Sequence, residues 1–328
     1  MLSPRTVLVR GSGSIGVRHL HALRVLGHNP VAVPVRSERR VALAELGFET
    51  AGSIAEAVER GASAAVIATD TSRHVEDASE SLAHGRDVLV EKPLAPSASD
   101  AEALVRAAAL AGRRASVAYC LRFHEGIERF RELLPQIGDV HHVRVACQSF
   151  LPTWRPQRDY RESYSARSDE GGALRDLSHE IDYSIWLFGP PLRVQAWLGD
   201  GTRLGIEAED TADLFWTTSS GSTVSVRLDY VTHAPRRTML AQGADGELEW
   251  DAIGETVRVA LRGRSPMVVR IAHDRDTMMQ RQIEAFLHIV DGGDDDRCCT
   301  FDEAACVVRT CDTARRRAQE LRARGDEL

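Results

Sequence analysis

The sequence has almost no lysine. Of its 41 lysine and arginine residues only Lys92 is a lysine, which leaves 40 arginines. A coding bias toward arginine explains the excess at surface positions, where either cation is tolerated. A single retained lysine can also mark a site that needs a compact ammonium, which a planar guanidinium does not replace. Composition leaves both explanations open, and the residues around Lys92 have to separate them.

Other absences exclude whole classes of protein. No apolar run approaches the ~20 residues that span a bilayer, and the first residues enter a strand without a signal peptide, so we expect a cytoplasmic protein with no membrane partner. The net charge of −7 and the lack of a long basic block argue against a nucleic-acid partner. The six cysteines form no paired C-x-x-C motif, so we expect reduced thiols and no metal site.

The 328 residues suit two domains. Over residues 1–120, short apolar runs such as "TVLVRG", "AAVIAT" and "DVLVEK" alternate with helical patterns. This rhythm predicts an α/β Rossmann domain with a parallel sheet. Over residues 121–328, strand-like segments follow one another with short polar turns, which predicts an α+β domain with a mainly antiparallel, open sheet.

The stretch "VRGSGSIGVRHL" places Gly11, Gly13 and Gly16 in G-x-G-x-x-G spacing between a predicted strand and a predicted helix. In that position the glycines allow a tight turn, close approach of a pyrophosphate and close packing of the helix on the strand. The helix N-terminus, with Ser14 and Ile15, offers backbone N–H groups to the phosphates. We therefore predict a dinucleotide site.

The acidic residue expected some 20 residues further on, as a ribose ligand, is absent. Arg36 and Ser37 stand there, with Arg40 close by. A guanidinium and a hydroxyl suit the 2′-phosphate of NADP(H), which we therefore favour. NAD(H) stays open, since Glu38 could reach the ribose.

Four segments, "ATDTSRH", "GRDVLVEKPLA", "YCLRFH" and "GGALRDLSHEIDYSIWLFG", resemble the Gfo/Idh/MocA oxidoreductase family along the whole chain. The resemblance implies a two-domain, NAD(P)-dependent enzyme acting on sugars, amino sugars or cyclitols. It identifies Lys92 with the lysine of the family's E-K-P motif. Further cofactor contacts are implied for Thr69, Thr71, His74, Glu91 and Lys92 itself.

Physical chemistry gives roles to the candidate catalytic residues. The unperturbed pKa of a histidine side chain, ~6.5, suits His179 to act as a general acid or base. Lys92 follows a strand end, where its ammonium could stabilise negative charge on a reacting oxygen. Asp176 and Asp182 flank His179 at three residues on either side, so we expect one helix face to carry all three. In the family that this chain resembles, the aspartate that corresponds to Asp176 usually lies four residues before the histidine, whereas here the spacing is three. Either aspartate could orient the imidazole, and either could bind a substrate hydroxyl.

The segment from Pro152 to Ser168 is rich in aromatic and arginine residues, including Trp154, Arg158 and Tyr160. Aromatic faces pack on sugar C–H groups, and arginines bind phosphate or carboxylate. We predict a substrate-binding loop, with Arg122 also lining the site. A surface or interface loop is the alternative.

The sequence thus predicts hydride transfer between nicotinamide and a carbinol or carbonyl carbon of a sugar, amino sugar or cyclitol. A non-catalytic dinucleotide-binding regulator on the same fold is one alternative. Redox-assisted epimerisation or elimination, without net cofactor turnover, is another. We expect a homodimer or homotetramer joined through the open sheet, because a large exposed sheet face favours association.

Overall fold

The computed structural model describes residues 3–272, 274–323 and 325; the other residues of the two predicted domains (1, 2, 273, 324 and 326–328) lie outside the described part. The strands are β1 (Thr6–Arg10), β2 (Asn29–Val33), β3 (Glu49–Thr50), β4 (Ala64–Ile67), β5 (Asp87–Val90), β6 (Ala115–Val117), β7 (Val140–Phe150), β8 (Arg193–Leu198), β9 (Thr211–Thr217), β10 (Thr223–Asp229), β11 (Val231–Gly243), β12 (Gly246–Asp251), β13 (Thr256–Leu261), β14 (Met267–Arg270) and β15 (Cys299–Thr300). The helices are α1 (Ser14–Val25), α2 (Arg39–Glu45), α3 (Ile54–Glu59), α4 (His74–Ala83), α5 (Ala98–Ala111), α6 (Glu125–Leu133), α7 (Ala173–Asp176), α8 (His179–Phe188), α9 (Arg275–Val290) and α10 (Phe301–Ala323).

The chain divides into two units. The first runs to Phe123 and also takes in Asp274–Ala305, and the second comprises the rest. The first break lies three residues beyond the predicted boundary at residue 120. The segment 274–305, which the sequence analysis placed in the second domain, groups with the first unit because α9 packs against α1.

The first unit contains a seven-stranded sheet with the order β15-β6-β5-β4-β1-β2-β3. All pairs are parallel except β15 with β6. The strand order reverses between β1 and β4, and open α/β sheets bind ligands at such a switch point. Buried valines of β1 pack with leucines of α1 and with α9 in one apolar core, which fixes the α1 helix over the sheet. The predicted Rossmann domain is confirmed.

The second unit contains an eight-stranded sheet with the order β14-β13-β12-β11-β7-β10-β9-β8. Its pairs are antiparallel except β7 with β10, which confirms the mainly antiparallel sheet. Helices α6 and α8 pack on one face, where the inward residue Trp216 is buried. On the opposite face Trp197 and Phe215 are 45% and 41% exposed, so this face is open in the single chain.

Among the described helices, none has the length and apolarity that crossing a membrane requires.

Candidate active site

The glycine loop joins β1 to α1. Gly11 has a φ of +105°, which residues with side chains rarely adopt, and a Cβ there would collide with the Ala68 carbonyl oxygen. A Cβ on Gly16 would collide with the Gly11 carbonyl oxygen, whereas the space beside Gly13 is open. Gly13 caps α1 with no side-chain hydrogen bond. The N–H groups that begin α1, including those of Ser14 and Ile15, therefore suit a pyrophosphate, and the loop fits a dinucleotide.

Arg36 and Ser37 lie just beyond the end of β2, and both are exposed. Arg40 is turned elsewhere, because its Nε donates to Thr50 Oγ1 over 3.4 Å. Arg39, which was not among the predicted ligands, donates from Nη2 to the Ser12 carbonyl oxygen over 3.0 Å. Arg36 thus remains the guanidinium available for a phosphate, and Arg39 supports the glycine loop itself. Only the density of arginines in "VRSERR" could have drawn attention to Arg39.

The carboxyl end of β4 carries the predicted ligands Thr69, Thr71 and His74. The Thr69 hydroxyl donates to Asp77 Oδ2 over 2.9 Å, and Thr71 begins a short 3-10 turn. The ring nitrogens of His74 lie 2.9 Å from the Pro93 carbonyl oxygen and 3.1 Å from that of Thr69. Burial lowers the pKa of His74. The imidazole contacts the backbone that follows β4 and β5. This geometry does not favour the predicted contact between His74 and a cofactor.

Asp77 is a buried acceptor that the sequence analysis did not identify. Arg10, which precedes the glycine loop, donates from Nε to Asp77 Oδ1 over 2.9 Å and from Nη1 to the Pro34 carbonyl oxygen. Thr69 and Arg73 also lie against this carboxylate. The cluster ties the ends of β1, β2 and β4 together around the switch point. Arg10 lies 67 residues from Asp77 in the sequence, so no local signal marks their contact.

Lys92 and Glu91 follow β5, and both are half-buried. The Glu91 N–H donates to the Ile67 carbonyl oxygen, which aligns the end of β5 with that of β4. One Glu91 carboxylate oxygen accepts from the backbone N–H of Lys92 over 3.2 Å, and the other lies 2.7 Å from His19 Nε2. Lys92 therefore leaves the sheet at the edge where the glycine loop also lies.

In the second unit, α7 ends at Asp176 and α8 begins at His179, because Leu177 departs from helical geometry with ψ of 30°. The expectation that Asp176, His179 and Asp182 share one helix face is therefore wrong for Asp176. Asp182 is 1% exposed within α8. From Gly171 to Ile185 every residue except His179 is buried, so the imidazole is the accessible group on an otherwise buried segment.

Hydroxyl groups surround the Asp176 carboxylate. Tyr164 donates to Oδ1 over 2.6 Å, while Ser165 and Tyr230 donate to Oδ2 over 2.8 and 3.0 Å. Burial, followed by the Asp176 charge, raises the pKa of Tyr230 well above its ordinary value. Asp176 thus joins the aromatic-rich segment 152–168 (the aromatic loop) to the end of α7 and to Tyr230, which follows β10. An aspartate with this many donors serves as an anchor, which differs from the catalytic role predicted for it.

The predicted substrate residues occupy different environments. Trp154 is 40% exposed, donates from Nε1 to Ser149 Oγ over 3.0 Å and meets Tyr230 edge-on. Arg158 is exposed, and the Tyr160 hydroxyl donates to the Leu204 carbonyl oxygen over 2.9 Å. Arg122, in the first unit, is 0% exposed, and its Nη1 lies 3.3 Å from Glu303 Oε1. Burial makes Arg122 a structural cation rather than an open substrate ligand.

Glu180 of α8, paired with Arg237 of β11, is a second buried group that the sequence analysis did not identify. Glu180 is 0% exposed, and its Oε1 lies 2.9 Å from Arg237 Nε on β11. Cys147, opposite Arg237 in the sheet, has a pKa raised to about 12, first by burial and then by the Glu180 charge. This pair fixes the residue next to His179 onto the sheet. The family-like segment drew attention to His179 but gave no sign of the partner strand.

Comparison with known proteins gives two matches to family models. Residues 5–119 match a model described as an oxidoreductase family with an NAD-binding Rossmann fold. Residues 129–249 match a model described as the GFO/IDH/MocA C-terminal domain. The matched regions correspond to the glycine-loop sheet and to the open antiparallel sheet.

Individual proteins show the same similarity. Myo-inositol dehydrogenase Hyg17 of Streptomyces leeuwenhoekii is 31% identical over 265 residues, which cover 79% of this chain and 74% of that protein. D-xylose 1-dehydrogenase (NADP(+)) 2 of Haloferax volcanii is 27% identical over 319 residues, which cover 93% and 94%. The solved structure of levoglucosan dehydrogenase with NADH has a TM-score of 0.86 at 18% identity, covering 97% and 98% of the two chains, which is a likeness of fold.

Proposed function

The chain belongs to the Gfo/Idh/MocA family of NAD(P)-dependent oxidoreductases acting on CH–OH groups, and on that premise we propose that it oxidises or reduces one carbon of a sugar, amino sugar or cyclitol. The observation that carries the proposal is Lys92. In a chain that otherwise uses arginine for its cations, the one lysine follows the carboxyl end of β5. The glycine loop lies at the same edge of the sheet. A regulator that only bound a dinucleotide would not need this lysine.

In the proposed reaction the C–H bond of a carbinol breaks as its electron pair leaves with the hydrogen. A bound nicotinamide supplies the hydride acceptor, or the donor in reverse. The substrate O–H bond breaks as its proton passes to His179. Because His179 Nδ1 is buried, Nε2 is the nitrogen proposed to take that proton. The role proposed for the Lys92 ammonium is to donate to a substrate oxygen and stabilise its developing negative charge.

We propose NADP(H) as the preferred cofactor. Arg36 and Ser37 are exposed past the end of β2, where a ribose 2′-phosphate would lie in this fold. A guanidinium and a hydroxyl complement that dianion. Arg40 drops out of the predicted ligand set because it is bonded to Thr50.

The substrate proposal rests on the relatives and on the aromatic loop. The two relatives are named as dehydrogenases of myo-inositol and of D-xylose. Both compounds carry hydroxyl groups on adjacent carbons. Trp154 offers an exposed aromatic face and Arg158 an exposed guanidinium. Such a pair suits a sugar ring that carries a phosphate or carboxylate.

We also propose a cytoplasmic homodimer or homotetramer. The open face of the second sheet carries exposed aromatic residues, which a second subunit would cover. The six cysteines, all within the described residues, are free thiols, in keeping with a reducing compartment.

A substrate screen tests the function. Reduction of NADP⁺ and NAD⁺ is followed at 340 nm with hexoses, pentoses, amino sugars, inositols and nucleotide sugars. We expect turnover with at least one polyol and faster turnover with NADP⁺. If no compound in the panel gives an absorbance change while NADPH still binds tightly, the result would contradict the proposed dehydrogenase activity and favour a dinucleotide-binding regulator. Product formation without absorbance change would favour redox-assisted epimerisation or elimination.

A further inference from the structure

His19 is a buried histidine on an apolar helix face. It lies in the second turn of α1 and is 0% exposed, beside the buried Leu20 and Leu23. Burying a polar ring costs free energy unless a partner satisfies it. His21, two residues further along, differs from His19 because it is exposed, and its ring packs edge-on against Phe48. The buried position of His19 therefore needs a reason beyond packing.

The partner of His19 is Glu91. His19 Nε2 lies 2.7 Å from Glu91 Oε1, a length typical of a hydrogen bond to a carboxylate. Among the described residues Nδ1 has no hydrogen-bond partner and is shielded from solvent. A proton on Nδ1 would be an unsatisfied buried donor, so the arrangement favours the tautomer in which Nε2–H donates to Glu91.

Glu91 also contacts the backbone of Lys92. Its second oxygen accepts from the Lys92 backbone N–H over 3.2 Å. The carboxylate therefore bridges α1, which begins at the glycine loop, and the turn that presents the lysine. On the other side of the turn, His74 lies against the Pro93 carbonyl oxygen. The three residues after β5 are held between two buried imidazoles.

We propose that His19 and Glu91 are a positioning pair that holds the Lys92 turn in register with the dinucleotide-binding helix. A hydrophobic pair of similar volume would cost less to bury, so stability alone does not account for the choice of residues. This inference rests on the proposed function, since it takes Lys92 to act in the reaction. It also gives Glu91 a role other than the cofactor contact implied by resemblance.

The single lysine makes a substrate-free test available. Trinitrobenzenesulfonate reacts with unprotonated amines, and peptide mass spectrometry isolates the labelling of Lys92. The variants are His19→Leu, His19→Gln and Glu91→Gln, with His21→Leu as the matched control. Loss of the His19–Glu91 contact, or of the Glu91 oxygen that accepts from the Lys92 backbone, loosens the turn and exposes Lys92 to the reagent. We expect labelling about tenfold faster in His19→Leu and Glu91→Gln, because a weakened hydrogen bond to a carboxylate lets the turn open more often. His19→Gln, whose amide can still donate to Glu91, and His21→Leu should stay near wild type.

Turnover gives the second readout. With a substrate from the screen, His19→Leu should lose about 10- to 100-fold in kcat through misplacement of Lys92, with NADPH Kd and KM little changed, and His19→Gln should recover most of the rate. Labelling and kcat in His19→Leu equal to those of His21→Leu would overturn the proposal. So would a loss of NADPH affinity in proportion to kcat, which would indicate a role in cofactor binding. If His19→Leu does not fold, labelling of Glu91→Gln decides. If no substrate is found, the labelling arm still decides, so the two failures stay separate.

Discussion

At the scale of single residues, cofactor choice depends on Arg36. If its guanidinium binds the 2′-phosphate, Arg36→Ala should weaken NADPH binding by about 1.5–3 kcal/mol, the value of a hydrogen bond to a charged group. NADH binding should hardly change, because NADH lacks that phosphate. Fluorescence titration with each dinucleotide measures both affinities.

Arg39→Ala is the matched control for Arg36. Its guanidinium donates to the Ser12 carbonyl oxygen in the glycine loop, which both dinucleotides use. Its removal should weaken NADPH and NADH to the same degree. Equal losses in Arg36→Ala itself would mean that Arg36 is not a phosphate ligand.

At the scale of elements, α8 depends on the Glu180–Arg237 pair for its seating on the second sheet. Arg237→Met leaves the fully buried Glu180 without its cation. We expect a loss of about 3 kcal/mol in the free energy of unfolding, at the low end for a broken buried pair, because Arg237 keeps a 28% exposed side chain. Urea denaturation followed by circular dichroism measures it.

The control lies on the same sheet. Arg258 and Glu247 form a pair at 2.8 Å whose side chains are 36% and 38% exposed. Arg258→Met should therefore cost about 1 kcal/mol or less. A similar small cost for Arg237→Met would show that Glu180 is not held by Arg237 in solution.

Elements also show where prediction from sequence succeeds and fails. The strand and helix periods and the glycine loop are local signals, and they placed α1, the parallel sheet and the antiparallel strands. Strands β3 and β15 have two residues each, too few for any period. The break between α7 and α8 was missed because Asp176 is held by Tyr164 and Tyr230, and Tyr230 is 54 residues away. The His19–Glu91 contact spans 72 residues and is set by the sheet order.

At the scale of the whole molecule, the open sheet face predicts an oligomer. Wild-type protein at micromolar concentration should sediment as a dimer or tetramer. Two charges of the same sign at Trp197 and Phe215 (Trp197→Glu with Phe215→Glu) should shift it toward monomer, because they do not pair with each other and would be buried unpaired in the interface. Leu110→Glu, at an 89% exposed position on α5, is the control. A wild-type monomer would refute the proposed assembly.

The composition of the whole chain bears on the central claim, that Lys92 acts in hydride transfer. Arginine serves at every other cationic position, so Lys92→Arg should be nearly silent if only charge matters. A guanidinium is bulkier than an ammonium and does not release its proton. One well-placed donor to a developing oxyanion contributes ~2.7–4 kcal/mol. The decisive measurement is kcat of Lys92→Arg with the best substrate, alongside NADPH Kd. We predict a kcat loss of ~10²–10³-fold with Kd nearly unchanged. Near-normal turnover would contradict the catalytic assignment of Lys92.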